Sequence, residues 1–247
     1  MKKFWEFKSK KYPKPFDHNI LDETKRIISI IENLGVDFKN KKIIDIGCGT
    51  GIYGLVLSEL ADEVFCLDFS KNMIDILKNE ADKRGIKNSK CIVCDFKDFD
   101  AKEYEKHFDI SFASMTPAIK DEKDVYKMEL LSKKWCVYIG WAGKRENKIA
   151  DELYSLFGLK PHLPTGFFDV KKILKDKKRK FKTHIFETSW KWKGSIDEAM
   201  EEFALRIELD IKDVDRNKIK EFLKSKFPSG DVEYETLASE GIIVWEV

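Results

Sequence analysis

The sequence predicts a doubly wound α/β fold, in which a mostly parallel sheet carries helices on both faces. Short apolar strands alternate with amphipathic helices over residues 42–140. These strands are apolar along almost their whole length, as expected for strands that are buried on both faces. A glycine-rich turn, DIGCGTG at residues 45–51, joins the first of these strands to the helix that follows it. Helices before and after this region would form N-terminal and C-terminal embellishments of the sheet.

The elements of the first half follow one another in a regular order. Apolar spacing predicts an amphipathic helix from Asp17 to about Leu34. The basic and aromatic segment before it contains Pro13 and Pro15, so no regular helix is expected over the first 15 residues. Further helices are predicted after the first, second and fourth strands, the second of them capped by Ser70. The predicted strands are Lys42–Ile46, Glu63–Leu67, Lys90–Cys94, Phe108–Ala113 and Lys134–Gly140.

Beyond Gly143 the alternation becomes less regular. A capping-box pattern, in which Ser195 precedes Glu198 by three residues, predicts the start of a helix. The remaining predicted elements are helices over Glu146–Phe157 and Asp215–Lys226, a strand over Phe181–Trp192, and a closing hairpin in which Val232–Leu237 and Ile242–Val247 flank Ala238–Gly241.

The length allows one large domain or two small ones, and the absence of a clear linker favours one domain. The 46 Lys and Arg residues nearly balance the 44 Asp and Glu residues, so no general attraction to nucleic acid is implied. No signal peptide and no apolar run of about 18 residues is found, and five scattered cysteines suit the cytoplasm, so we expect a cytoplasmic protein with no membrane span. The expected single domain, 1–247, has an N-terminal cap segment (1–40), a ligand-binding core (41–143) and a segment of substrate-side insertions and closing strands (144–247).

The glycine-rich turn does not have the spacing of a nucleotide-phosphate loop. In a GxGxxG pattern that starts at Gly47, the third glycine is replaced by Ile52, and no Gly-Lys-Ser/Thr follows. Asp45, two residues before Gly47, would repel a pyrophosphate but can attract the ammonium group of an amino-acid ligand. The alternative is a βα turn that binds nothing.

Three acidic residues lie at the ends of three successive strands, where the carboxyl ends of parallel strands meet at one edge of the sheet. Asp45 is the first of them. Asp68 is placed to accept hydrogen bonds from ribose hydroxyls, and Asp95 to accept one from an adenine amino group, with Phe96 or Cys94 packing on the ring. Alone, Asp68 could equally cap a helix and Asp95 could be a solvated loop residue. Together they indicate a ligand with adenosine and amino-acid parts.

These residues resemble the class I S-adenosylmethionine (SAM)-dependent methyltransferases, over Lys42–Ile119 and in strand order to about Gly143. The resemblance implies a Rossmann-like sheet of seven strands with the last antiparallel, and SAM as the cofactor, converted to S-adenosylhomocysteine. It also implies that the glycines face the methionine portion and that Phe69 and Met73 flank the adenine. The implied cofactor-binding residues are Asp45, Gly47, Cys48, Gly49, Thr50, Gly51, Asp68, Phe69, Met73, Cys94, Asp95, Phe96 and Ser114.

The acceptor side of the family lies after the fourth strand, where this chain has Ser114-Met115-Thr116-Pro117. The Asn or Asp followed by Pro-Pro of amino-directed enzymes is missing, which argues against adenine N6 methylation. Thr116 and Pro117 are expected to be an N-cap and first helical residue. The acid that metal-dependent catechol-type enzymes carry at this strand end is also missing, so no catalytic metal is expected.

Catalytic candidates are few, because SAM carries its own sulfonium leaving group and needs a general base only for a poorly nucleophilic acceptor. His18 and His162 are the weak candidates for such a base, and an ordinary surface or partly buried histidine is the simpler interpretation of each. Tyr12, Met115 and Trp141 are the predicted pocket residues. Met115 follows the fourth strand, whereas Tyr12 and Trp141 would belong to an aromatic lid formed by the N-terminal segment and the insertion after the fifth strand, although core packing would explain the aromatic residues equally well.

Two further features have more than one explanation. Cys91 and Cys94 form a CxxC pair, but no second pair follows at zinc spacing, so core packing is expected. The basic run Lys171–Lys182 could contact RNA or an acidic substrate, but a solvated surface is the simpler interpretation. We therefore expect a methyltransferase with a small-molecule acceptor. The alternatives are an RNA or protein methyltransferase and a non-catalytic SAM-binding module.

Overall fold

The computed structural model describes residues 2–160 and 165–247. The strands in these ranges form one seven-stranded sheet in the order β3-β2-β1-β4-β5-β7-β6. Strand β7 is antiparallel to both β5 and β6, and the other neighbouring strands are parallel. The strands are β1 Lys42–Ile46, β2 Glu63–Asp68, β3 Ser89–Val93, β4 Phe108–Ser114, β5 Ser132–Glu146, β6 Phe181–Ser195 and β7 Asp231–Glu246.

Helices cover both faces of this sheet, and the predicted doubly wound architecture is confirmed. Apolar side chains of α2, α3 and α4 form one core layer, and those of α5 and α7 form the other. The helices are α1 Lys2–Lys8, α2 His18–Asn33, α3 Gly54–Leu57, α4 Lys71–Lys83, α5 Glu122–Leu131, α6 Lys148–Leu156, α7 Gly166–Asp176, α8 Ile196–Ile207 and α9 Arg216–Lys226. No helix in the described ranges has the length and apolar character that a membrane crossing needs.

The expectation of no regular helix before residue 15 is wrong for the first part of that segment. Helix α1 and a 3-10 turn at Ser9–Lys11 precede Pro13. A proline restricts only its own backbone and that of the residue before it, so it does not prevent a helix several residues upstream. Burial of Phe4 helps to hold this helix against the rest of the chain.

The predicted C-terminal hairpin is also wrong, because β7 runs unbroken through Ala238–Gly241. Gly241 is paired on both sides, with Gly140 of β5 and Ile185 of β6. The ring of Phe167, from α7, occupies the space in which a side chain at Gly241 would lie. The glycine therefore allows the Phe167 ring to approach the backbone of β7 closely, and it does not form a turn.

Three strands extend well beyond the edge of the sheet at which β4 ends. Ser114, the last residue of β4, pairs with Ile139, but β5 continues to Glu146. At about 3.3 Å per residue, this extension projects roughly 20 Å past β4. Strand β7 pairs with β6 from Asp231 to Trp245, so all three strands share the extension. We call this part of β5, β6 and β7 the overhang.

The overhang carries its own small core. Helices α6, α8 and α9 bury apolar side chains against it, including Phe203 and Leu223. The predicted capping box is confirmed at the start of α8, where Ser195 and Glu198 exchange hydrogen bonds. The register between β5 and β7 shifts between Trp141 and Arg145: the pairing advances by four residues along β5 but by only two along β7. Such irregularities bend a strand and redirect its side chains.

We expect Gly241→Ala to destabilise the protein by about 1 to 3 kcal/mol, because the new methyl group must displace the fully buried ring of Phe167. Gly241→Ala combined with Phe167→Leu isolates this clash, because the smaller side chain leaves room for the methyl group. The double variant should lose about 1 kcal/mol less than the sum of the two single variants. Urea unfolding measures all three variants, and additive losses would contradict the role given to Gly241.

Candidate active site

The glycine-rich turn after β1 is shaped by close approaches. Gly47, Gly49 and Gly51 have φ angles of 71°, 56° and 88°, in the left-handed region that favours glycine. The side chain of Thr116, from the segment after β4, fills the space that a Cβ on Gly47 would need. A Cβ on Gly51 would lie 2.8 Å from Leu77 Cγ. The first glycine thus admits the acceptor-side segment, and the last packs the turn against α4.

Asp68, at the end of β2, is bonded to the turn. Its Oδ2 accepts a hydrogen bond from the Gly49 N–H at 3.0 Å, and its Oδ1 accepts one from the Ser70 N–H at 2.8 Å. Burial raises the pKa of Asp68, and these two N–H donors oppose the rise. The carboxylate therefore holds the glycine turn at a set distance from the start of α4.

Asp45 lies beneath the same turn and is 2% exposed. Within the described ranges its Oδ2 has no hydrogen-bond partner. Burial raises the pKa of Asp45 to about 7, the Gly54 N–H lowers it and the charge of Asp68 raises it further. A buried carboxylate oxygen without a donor is costly and invites a cationic partner.

A cavity of about 230 Å³ opens at the carboxyl edge of β1, β2 and β3. Of the predicted cofactor residues, Gly47, Asp68, Phe69, Cys94, Asp95 and Phe96 line it. Cys48, Gly49, Thr50 and Gly51 form the turn behind it, Asp45 lies beneath that turn, Met73 is buried in the first turn of α4, and Ser114 ends β4. Thr116, Lys97 and Lys120 also line the cavity and were not predicted.

Asp95 lies in this cavity but is partly engaged by its neighbour. Its Oδ1 accepts a hydrogen bond from the Lys97 N–H at 3.1 Å, and its Oδ2 lies 3.4 Å from Lys97 Nζ. Its side chain is about two-fifths exposed. Phe96 beside it is buried beneath the ammonium group of Lys127, which lies 4.7 Å from the ring centre.

The segment after β4 corrects the helix start predicted there. Thr116 Oγ1 accepts a hydrogen bond from the Ala118 N–H at 3.2 Å, but this closes only a turn. Helix α5 begins at Glu122, and its N-cap is Asp121, a stronger acceptor that bonds two backbone N–H groups. Met115 adopts a φ of 49°, which is uncommon for a residue with a long side chain, and such conformations cluster at functional sites.

Tyr12 links the cofactor side of the site to the overhang. A Cβ on Gly49 would lie 3.8 Å from its ring, so the phenol covers the glycine turn. Burial raises the pKa of Tyr12 to about 12, and the charges of Glu240 and Asp68 act in the same direction. Trp141 lies directly opposite Glu240 across β5 and β7, so the two side chains share one face of the sheet.

Glu240 and Tyr53 are site residues that the sequence predictions missed. Burial raises the pKa of Glu240 to about 7, Glu23 raises it further and Arg26 lowers it. Burial also raises the pKa of Tyr53, with Glu240 as the next cause and the Ser114 hydroxyl in opposition. The signal in the sequence for Glu240 is a lone acid in the apolar segment LASEGIIVW.

The N-terminal segment closes over these groups. Thr50 Oγ1 donates a hydrogen bond to the Pro13 carbonyl at 2.7 Å, and Ser70 Oγ donates one to Glu6 at 3.0 Å. The ring of Trp5 packs edge-on against Tyr12, with 6.1 Å between centres. The segment is thus bonded to the glycine turn and to the start of α4.

The histidine and cysteine candidates lie elsewhere or outside the described residues. His18 is 89% exposed and pairs with Asp22 on α2. His162 falls in the range 161–164, which lies outside the described residues. Cys91 and Cys94 pack on opposite core layers. In the described part of the chain, no three His, Cys, Asp or Glu side chains are grouped to hold a metal ion.

Comparison with known families agrees with this geometry. A sequence model of a methyltransferase domain matches residues 37–202, which is more than half of the chain. The chain belongs to this family and is a SAM-dependent methyltransferase of class I, with SAM as its cofactor.

Similarity to particular proteins is more limited. The chain is 41% identical over 92 residues to ribosomal RNA small subunit methyltransferase A of Mesomycoplasma hyopneumoniae, which is 36% of this chain and 34% of that protein. The chain thus spans about a third of the length of the curated relatives it matches. The YcgJ protein of Bacillus subtilis superposes with a TM-score of 0.55 at 16% identity, over 93% of this chain and 98% of that one.

A further solved structure, magnesium protoporphyrin IX methyltransferase of Synechocystis with bound S-adenosylhomocysteine, superposes with a TM-score of 0.51. It is 18% identical, over 68% of this chain and 76% of that one. At these identities the two superpositions show a shared fold.

Burial of Asp45 should make stability depend on pH. Its pKa is higher in the folded chain than in the unfolded chain, so the folded state binds more protons between pH 4 and 7. The protonated Asp45 carboxyl thus contributes its full stabilisation of the folded state below about pH 4. As the pH rises through 7 this contribution is lost, and the free energy of unfolding falls by at most about 4 kcal/mol. We expect Asp45→Asn to remove this fall in urea-unfolding free energy.

Burial also raises the pKa values of Glu240 and Asp68, so Asp45→Asn retains a smaller fall, and adding Glu240→Gln to Asp45→Asn should reduce the fall further. An unchanged pH profile in Asp45→Asn would show that the Asp45 carboxyl is not buried in this way.

Proposed function

We propose that the chain transfers the methyl group of SAM by in-line displacement to a small-molecule acceptor, which binds between the cofactor cavity and the overhang. The observation that carries this proposal is the position of Tyr12. Its ring lies over the glycine turn, with Asp68 on the cofactor side and Glu240 and Trp141 on the overhang side. The N-terminal segment covers this space, which suits a small acceptor better than a large polymer.

The described residues fit SAM. The unpartnered Oδ2 of Asp45 suits the cofactor ammonium group, reached directly or through a water molecule. Asp68 would accept hydrogen bonds from the ribose hydroxyls, and Asp95 one from the adenine amino group, with Phe96 against the ring. When bound, SAM supplies a methyl group on a sulfonium leaving group.

The chain itself would orient the acceptor and exclude water. Tyr12 and Trp141 would form the walls of the acceptor chamber, and alignment of the acceptor atom with the methyl group accounts for most of the catalysis. Glu240 is placed to take a proton from an acceptor that is not already nucleophilic. With a pKa near 7, it is partly ionised at neutral pH, as suits a general base.

A second candidate acceptor is RNA, which the partial similarity to a ribosomal RNA methyltransferase favours. The basic run Lys171–Lys182 does not support it. Arg179 binds Glu129, Lys177 binds Glu122, and Lys182 donates to the Leu34 carbonyl. Lys182, at the end of this run, pairs with Val244 of β7, and Val244 pairs with Val137 near the start of β5. This part of the basic run therefore lies at the sheet edge opposite the cofactor cavity.

Asp68→Asn should raise the Kd for SAM about tenfold or more, because the variant loses the charge that strengthens hydrogen bonds from the ribose hydroxyls. Glu63→Gln, at the other end of β2, is the matched control and should bind SAM like the wild type. Isothermal titration calorimetry measures both, and a melting curve checks that each variant folds. Wild-type affinity in Asp68→Asn would remove Asp68 from the cofactor site.

The acceptor class can be tested by S-adenosylhomocysteine formation. We expect product with the metabolite fraction of a cell extract and none with its RNA fraction, and loss of that product in Asp68→Asn. Product that forms only with RNA, with RNA binding that falls steeply as salt rises, would replace the small-molecule proposal with the RNA candidate.

A further inference from the structure

Three cationic side chains meet around one carboxylate on the inner face of the overhang. Lys8 Nζ lies 2.8 Å from Glu202 Oε1, and the Arg206 guanidinium lies 3.6 Å from the same oxygen. The Trp192 indole N–H donates a hydrogen bond to Glu202 Oε2 at 2.8 Å. Both oxygens of Glu202, whose side chain is 5% exposed, are therefore already engaged.

Arg145 is the third cation, and it has no acidic partner. Across the described residues it makes neither an ion pair nor a side-chain hydrogen bond, whereas Arg26, Arg179, Arg206 and Arg216 each pair with a glutamate. Arg84 is likewise unpaired in that part of the chain, but it is exposed. Burial and then the charge of Arg206 lower the pKa of Arg145 to about 10. At neutral pH it thus remains a partly buried, charged guanidinium.

The groups around Arg145 leave its charge uncompensated. Tyr154 and Tyr234 lie close to it, and Glu202 is the acid that acts on it. Asp210 acts on Tyr154, where burial and then this carboxylate raise the pKa of the phenol and the Arg206 charge lowers it. Lys8 and Arg206 are thus paired with Glu202, and Arg145 has no carboxylate of its own. An unpaired guanidinium beside a second one destabilises a fold, so an anionic ligand is the natural partner.

Arg145 is continuous with the acceptor chamber. Its guanidinium lies over the ring of Trp141, 5.2 Å from the ring centre. The ring of Trp190 lies 5.9 Å from that of Trp141, at an interplanar angle of 37°. Trp141 in turn shares its face of the sheet with Glu240. One surface thus runs from Glu240, across the indoles, to Arg145.

We propose that Arg145 binds an anionic group, a carboxylate or a phosphate monoester, on a planar acceptor that lies against Trp141 and Trp190. The planar guanidinium matches either anion through two parallel hydrogen bonds. Arg206 and Lys8 add long-range attraction and remain paired with Glu202. This inference rests on the proposed function, in which the chamber takes a small-molecule acceptor.

Tryptophan fluorescence titrations in the presence of S-adenosylhomocysteine test this site. The probes are phenyl phosphate and benzoate, which distinguish the two anions, and benzyl alcohol, which is neutral. We expect the wild type to bind at least one of the anions about tenfold or more tightly than benzyl alcohol. Arg145→Gln should lose this preference, and Arg84→Gln, which removes an arginine stacked over Phe16, should keep it. Equal binding of all three probes by the wild type, or an unchanged preference in Arg145→Gln, would overturn the proposal.

Thermal stability separates a ligand site from a structural role. Arg145→Gln should leave the Tm unchanged or raise it, because it removes an unpaired charge. Arg179→Gln, the structural control, should lower the Tm, because it leaves the buried carboxylate of Glu129 without its bidentate partner. A Tm lowered equally in both variants would make Arg145 structural and overturn the site.

The cofactor provides a separate readout. If the wild type fails to bind S-adenosylhomocysteine, the proposed function fails. If it binds S-adenosylhomocysteine but shows no anion preference, only the present inference fails. Displacement of phenyl phosphate by a short RNA at low salt, lost as salt rises, would assign the anion site to RNA and overturn the small-molecule acceptor.

Discussion

The antiparallel pairing of β7 between β5 and β6 is the constraint on which the acceptor side depends. Because β7 is bonded along most of its length on both sides, the three strands can extend past the edge where β4 ends and remain a sheet. Helices α6, α8 and α9 then have a surface on which to pack. The same pairing places Glu240 opposite Trp141, so the proposed acceptor site depends on sheet register.

The site concentrates groups that are unfavourable for stability. Asp45 has a buried oxygen without a donor, Glu240 is a partly buried acid beside Glu23, and Arg145 is a cation without an acid. Elsewhere the chain pairs its charges closely, as Arg179 does with Glu129. Natural sequences tolerate such local costs mainly where a ligand relieves them. These three residues lie along one path, from beneath the glycine turn to the inner face of the overhang.

The N-terminal segment connects the two halves of this path. Pro13 and Glu6 are bonded to the glycine turn and to the start of α4, and Lys8 is bonded to Glu202 on α8. Tyr12 lies between these attachments. The same short segment therefore contacts both the cofactor side and the overhang and joins the two sides of the proposed site.

The sequence by itself determined the parallel core, the class of protein and the methyl donor. Those conclusions follow from local features: five apolar strands, and a glycine turn whose spacing and preceding Asp45 are read within a few residues. The predicted cofactor residues remain predictions, although several of them line one cavity. The prediction fails where a residue is chosen for a contact with a distant part of the chain. Gly241 predicts a turn in the sequence, but in the structure it leaves space for Phe167 within a strand.

Only the tertiary structure decided the acceptor side. Nothing within a few residues of Tyr53 or Arg145 marks either as buried or unpaired, and the one local sign at Glu240 is its place in an apolar segment. Their character arises from strand register, from the irregular pairing of β5 with β7, and from the Arg206 charge that α8 brings to Arg145. Burial and charge pairing depend on residues far apart in the chain, and these are fixed only when the sheet is assembled.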